Sequence, residues 1–151
     1  MRAILITSLA GFIGLASWAG PADAGLFSST GPVIAILAGD LFLGEAEGHL
    51  DGSGALRIQS RVQPDVSCVG QFTSSAALGG KGNMQCSDGA TATFQFKRLS
   101  LIRGYGTGNS SRGTMSFTYG LNAIDSAPYL NLPAGKGFWH DGKNLELVDL
   151  R

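Results

Sequence analysis

Charge is scarce in this sequence: 15% of its 151 residues are charged, 11 basic against 11 acidic. That balance excludes a nucleic-acid-coating protein, which needs a basic excess against the phosphates. With 44% apolar residues the chain is also not a disordered one, because it has enough apolar surface to build a core. Histidine is limited to His49 and His140, so neither an H-E-x-x-H zinc site nor a three-histidine metal site can be formed. The two cysteines, Cys68 and Cys86, stand too far apart for a C-x-x-C redox or zinc motif. Nucleophile motifs are missing too. The glycine run Gly104–Gly108 is not followed by Lys-Ser/Thr, which excludes a phosphate loop. No stretch after residue 24 keeps a convincing 3.6-residue apolar period over twelve positions, so α-helix is expected to be minor; Pro32–Leu43 is apolar enough to be an exception, though its Gly39-Asp40 break favours strand. A non-enzymatic protein without a cofactor is the expectation.

What the sequence has in excess is glycine, 23 of 151 residues, about twice the ordinary usage of ~7% and without a collagen period. Turns and close-packed strands are the expected use. The length fits one domain. At the N-terminus, Met1-Arg2 is followed by the apolar stretch Ala3–Ala19, then Pro21 and the small-x-small run Ala22-Asp23-Ala24. This pattern reads as a signal peptide over residues 1–24, with an uncleaved anchor as the alternative. A single β domain over 25–151 follows, with no membrane span, in the periplasm or secreted. Export would carry Cys68 and Cys86 into an oxidising compartment, where they are expected to pair. A bridge across 18 residues contributes ~3 kcal/mol and pins two neighbouring strands.

Asp51-Gly52, Gly79-Gly80, Asp88-Gly89 and Asp141-Gly142 are hairpin-type dipeptides between short runs of strand character. The runs predict strands at Pro32–Ala38, Leu41–Leu50, Ala55–Val62, Ser67–Ser74, Asn83–Ser87, Thr91–Arg98, Leu99–Tyr105, Thr114–Tyr119, Tyr129–Leu132, Gly137–His140 and Leu145–Val148. Alternation is clearest where Ala92, Phe94 and Phe96 interleave with Thr91, Thr93, Gln95 and Lys97, and where Met115, Phe117 and Tyr119 interleave with Thr114, Ser116 and Thr118. One face of each belongs to a core. Gly104–Ser111 reads as an exposed loop or a wide hairpin end. The expected fold is all-β, an antiparallel meander closing into a small barrel or compact sandwich, since either removes exposed strand edges. An outer-membrane barrel is the alternative, disfavoured by Gly-broken strands and by aromatics that form no two girdles.

Cys68-Val69-Gly70-Gln71-Phe72, Gly80-Lys81-Gly82-Asn83-Met84-Gln85-Cys86-Ser87-Asp88-Gly89 and Thr93-Phe94-Gln95-Phe96 resemble a pattern of small exported bacterial proteins of uncharacterised function. The resemblance implies a secreted or periplasmic β protein and no particular activity. A looser similarity, through Cys86-Ser87-Asp88-Gly89, Ser111-Arg112-Gly113 and Phe138-Trp139, is to periplasmic inhibitors of C-type lysozyme. Their Ser-Gly-x-x-Tyr has no counterpart here.

Several side chains are candidates for binding. Glu45, Glu47, His49 and Asp51 recur at every second residue, which puts four ligand-capable groups on one strand face. Same-face neighbours are about 7 Å apart, so one divalent ion would reach adjacent pairs only. Lys97, Arg98, Arg103 and Arg112 form an opposite, basic bias, although Lys97 and Arg98 must point to opposite faces of a strand. His140 beside Asp141 invites an acid–base reading that no nucleophile accompanies. The leading expectation is a protein partner in the envelope or outside the cell, met through Tyr105, Asn109 and Arg112 of the polar segment and the Phe138, Trp139 and His140 rim. Binding of a small ligand, or of a metal at Glu45, Glu47 and His49, is the alternative.

Overall fold

The computed structural model describes residues 28–75 and 77–151; the expected signal peptide lies outside them. Eight strands follow one another: β1 Ser28–Leu37, β2 Asp40–His49, β3 Ser53–Ser60, β4 Ser67–Ser75, β5 Gly79–Cys86, β6 Thr91–Ser100, β7 Arg103–Ser110 and β8 Gly113–Tyr119. Each pairs antiparallel with the next, and β8 returns to β1 through Val33↔Tyr119 to Leu37↔Met115. The result is a closed up-and-down barrel, so of the two expected outcomes the barrel, not the sandwich, is realised. A four-residue helix, α1 (Ala123–Ser126), a 3-10 turn (Ala127–Tyr129) and a hairpin of β9 (Lys136–His140) and β10 (Leu145–Asp149) complete the described chain.

Alternation decides which side chains turn inward. On β6, Ala92, Phe94 and Phe96 are buried while Thr91, Thr93, Gln95 and Lys97 are exposed. On β8, Met115 and Phe117 join the same core. Inside, rings and glycines alternate around the wall: Phe72 faces Gly54 and Gly82, Phe94 faces Gly82 and Gly108, and Phe96 faces Gly80 and Gly106. The glycines are there for space. A Cβ on Gly106 would stand 2.6 Å from Cζ of Phe117, and one on Gly80 2.5 Å from Cζ of Phe96. Relieved of those side chains, the rings interlock edge to face, with centroids 5.5 Å apart for Phe72–Phe96 and 5.3 Å for Phe94–Phe117. Such pairs add ~0.5–1.5 kcal/mol each beyond area burial.

This packing corrects the expected loop at Gly104–Ser111. Those residues form β7, with Gly104, Gly106 and Gly108 turned inward against the neighbouring rings and Tyr105, Thr107 and Asn109 turned outward. The strand expected at Leu99–Tyr105 is broken in the middle by the turn at Leu101-Ile102. Tyr129–Leu132 is not a strand either, since Tyr129 ends the 3-10 turn Ala127–Tyr129, which holds Pro128 in its first turn.

One end of the barrel is closed by Leu37, Phe42, Ile58, Met84 and Met115, all under 3% exposed. The disulfide Cys68–Cys86 joins directly opposed residues of β4 and β5 at this end, Cα to Cα 3.9 Å. A second core lies outside the wall. Ile34 and Ile36 of β1 and Leu41 of β2 are covered by Leu130 and Leu145, with Leu43, Ala123, Leu132, Phe138 and Leu147 around them. The unbroken apolar run Val33–Leu37 is thereby explained, because β1 is buried on both faces. The covering segment is tied to β8 by buried hydroxyls: Thr118 Oγ1 and Ser126 Oγ share a 2.7 Å hydrogen bond, and the Asn131 amide donates to Ser116 Oγ at 2.9 Å.

No described helix is long and apolar enough to cross a membrane. Nor does the wall offer lipid an apolar band, since Arg57, Gln71, Lys81, Asn83, Gln95 and Thr107 face outward and are exposed. A lipid-facing barrel has the reverse polarity.

Candidate ligand-binding cup

The end opposite the disulfide is open. It is rimmed by the β2–β3 turn, the β6–β7 turn and the start of β1, and it leads into a cavity of about 580 Å³ inside the barrel. That volume lies in the range of small-molecule sites. Val33, Leu56, Phe72, Phe94, Phe96 and Phe117 form the wall. Cross-strand glycines make room for the rings at the sides, while at the top no large side chain from Gly31, Ala46 or Gly48 fills the lumen. β8 stops at Tyr119 opposite Val33 and the Gly120 amide still donates to the Pro32 carbonyl, so Ser28–Gly31 runs on past them, paired with β2 alone.

The rim carries large apolar side chains in water. Leu50 is 77% exposed, Leu101 75% and Ile102 53%, and all three line the mouth. Leu78, in the turn between β4 and β5, stands at the same end and is 85% exposed.

Two polar side chains reach into this apolar space. Arg98 continues the inward series of Phe94 and Phe96; its Nη1 donates to the Leu101 carbonyl at 3.0 Å and its Nη2 to the Ser74 hydroxyl at 2.6 Å. Ser74 is itself fixed, donating from Oγ to the Gly52 carbonyl at 3.1 Å. The guanidinium is therefore anchored to two mouth turns. Its Nε is buried and makes no hydrogen bond, and the same holds for Oη of Tyr119. Arg98 faces Gly104 across one strand pair and Gly104 faces Tyr119 across the next. With no side chain between them, guanidinium and phenol become neighbours; a Cβ on Gly104 would lie 2.5 Å from Cζ of Tyr119. Burial pushes the Tyr119 phenol above its ordinary pKa, against the pull of Arg98, so Oη stays protonated and able to donate at neutral pH. Among the described residues the ion pairs are Arg112–Asp88 and Lys136–Asp149. Neither neutralises Arg98.

The residues singled out from sequence are placed elsewhere. Tyr105 is half-buried on the outer face of β7, its ring stacked on Tyr129 with centroids 4.4 Å apart. Asn109 shares that face and lines an open hollow of about 1080 Å³ on the wall. Arg112 lies in the β7–β8 turn at the closed end, in an ion pair with Asp88. Phe138 is half-buried in the outer core, whereas Trp139 and His140 are exposed on β9. The structure thus does not gather them on one surface: Tyr105 and Asn109 belong to a strand in place of the expected loop, and Phe138, Trp139 and His140 sit on β9. His140 has no catalytic partner in Asp141: backbone amides of Asn144 and Lys143 and the Asn144 side chain hold that carboxyl at a pKa of about 2, as a turn anchor.

Glu45, Glu47 and His49 do share the outer face of β2. They stand in a row, with Glu45 opposite Arg57, and Asp51 leaves the row for the turn, where its carboxylate accepts from the amide and hydroxyl of Ser53. Among the described residues no group of three His, Cys, Asp or Glu side chains is close enough to hold a metal ion.

Sequence reasoning placed Arg98 only in a basic bias and Tyr119 only on a core face, and missed that the two meet inside the barrel. Their parity carried the signal, since Arg98 follows Phe94 and Phe96, and Tyr119 follows Met115 and Phe117, at every second position. No family model, curated protein or solved structure matches the chain; its function has to be read from its own side chains.

Proposed function

We propose that this chain is a non-enzymatic binding protein that holds a small, predominantly apolar molecule inside its barrel. The observation that carries this reading is the cup itself, aromatic-walled, open at one end and rimmed by Leu50, Leu101 and Ile102 in solvent. Packed interiors leave few voids larger than a water, and exposed apolar clusters of this kind mark binding sites. An apolar guest that enters the cup exchanges water for aromatic wall, at ~25 cal/mol per Å² of apolar surface buried. Export by residues 1–24 completes the proposal, and the Cys68–Cys86 bridge fits an oxidising compartment.

Recognition of a protein partner through Tyr105, Asn109, Arg112 and Phe138–His140 draws less support. Tyr105 is spent on Tyr129, Arg112 on Asp88 and Phe138 on the outer core.

Nile red, a neutral dye that brightens in apolar surroundings, tests the cup. It is expected to bind saturably at one site per chain. Ala46→Phe, which fills the mouth from an inward position, is expected to abolish that binding while the β circular dichroism stays intact. Dye binding unchanged in a folded Ala46→Phe protein refutes the reading.

A further inference from the structure

The cup is not uniformly apolar, and its polar part is localised. One wall carries a fixed guanidinium with an unused Nε–H and, across the side-chain-free Gly104, a protonated phenol with an unused O–H. A buried donor without an acceptor costs ~1–3 kcal/mol, and more where the group is charged. Retaining two such donors side by side in an aromatic cavity makes physical sense where a guest supplies the acceptor. The remaining polar groups at the mouth do not supply it: the Asp51 carboxylate is engaged by Ser53, and Ser74 accepts from Arg98 Nη2 rather than from Nε.

From this arrangement we infer that the guest is a single-chain amphiphile with a carboxylate head. Its two oxygens accept from Arg98 Nε and Tyr119 Oη while its hydrocarbon tail lies among Phe72, Phe94, Phe96 and Phe117. The inference rests on the cup reading above and adds the chemical class of the guest. Two unused donors on neighbouring inward positions suit the two oxygens of a carboxylate once a guest displaces the side chains that cover them, and the positive guanidinium, unpaired among the described residues, calls for a negative group. The aromatic wall, by contrast, has no donor or acceptor for a polar tail. A carboxylate at Arg98 remains near the mouth, because the same guanidinium is hydrogen-bonded to the rim carbonyl of Leu101.

Displacement of Nile red by laurate, lauryl alcohol and methyl laurate tests the head group with the tail held constant. Laurate is expected to displace the dye at concentrations about tenfold or more below either neutral analogue, as a charged hydrogen bond implies. In Arg98→Gln, with displacement referred to that variant's own dye affinity, the preference is expected to vanish. Tyr119→Phe keeps the ring packing against Phe96 and is expected to weaken laurate several-fold and leave lauryl alcohol unchanged. If laurate and the alcohol compete equally in the native protein, or if Arg98→Gln keeps the preference, the carboxylate assignment is wrong although the cup reading survives. Failure of all three to displace a bound dye also overturns the assignment. Absence of dye binding removes both readings at once.

Discussion

At the residue scale, the β1–β2 turn contains the one non-glycine residue with positive φ among the described residues, Ala38 at 51°, followed by Gly39 at 87°. Two central residues of positive φ are what a type I′ hairpin turn requires, and its preferred dipeptide is Asn-Gly. An L-residue with a Cβ pays ~1–2 kcal/mol in that region, and Asn offsets part of this through local hydrogen bonding. Ala38 is exposed, so a replacement meets no wall. Ala38→Asn is expected to stabilise the fold by about 0.5–1 kcal/mol. Thermal unfolding of the two proteins side by side checks this. An unchanged or lower midpoint would mean that the turn is not strained in solution.

At the element scale, the strands with side-chain alternation were legible and the strand made of glycines was not. β6 and β8 announce their faces through Phe94, Phe96, Met115 and Phe117. In β7, Gly104, Gly106 and Gly108 read as chain breakers, because a glycine's value here lies in the ring opposite it, and that depends on register. Register is a long-range property that one segment does not encode. The covering segment was legible in part: Gly137–His140 and Leu145–Val148 are strands as expected, whereas Tyr129–Leu132 has strand-like composition although Leu130 and Leu132 serve the outside of β1 and β2. The candidate site suffered from reading basic residues as surface. Lys97 and Arg98 were already required to point apart, and the core parity of Phe94 and Phe96 decides that Arg98 is the inward one. The disulfide was legible, and its place in the fold gives it a separable role. Cys68 and Cys86 join β4 and β5 at the closed end, whereas the cup opens at the other. Reduction, or Cys68→Ser with Cys86→Ser, is expected to cost ~3 kcal/mol against denaturant. The folded fraction is expected to bind Nile red with unchanged affinity. Urea titrations with and without reductant, followed by dye binding below the transition, check both halves; loss of dye binding in the still-folded protein would show that floor and cup are coupled.

At the scale of the whole molecule, the barrel combines two halves with opposite packing. The floor is filled by Leu37, Phe42, Ile58, Met84 and Met115 and stapled by the disulfide, while the mouth half trades side-chain volume for space and leaves Arg98 and Tyr119 with unused donors. Stability should therefore be graded along the barrel axis, because regions with fewer buried contacts open at lower free energy. A guest that binds the native state alone stabilises by RT ln(1 + [L]/Kd), which is ~2.7 kcal/mol at a hundredfold excess over Kd. Where the cup is the site, this gain is also local. Hydrogen exchange is expected to slow at the β2–β3 and β6–β7 turns and at the mouth ends of β4 and β8 when laurate is added. Amides near Cys68, Met84 and Met115, which exchange only when the barrel opens globally, are expected to slow by no more than the global stabilisation allows. Slowing of these global-exchange amides with none at the mouth turns would place the guest outside the cup, and local slowing around Gln71, Asn83 and Asn109 would move the site to the open hollow on the outer wall.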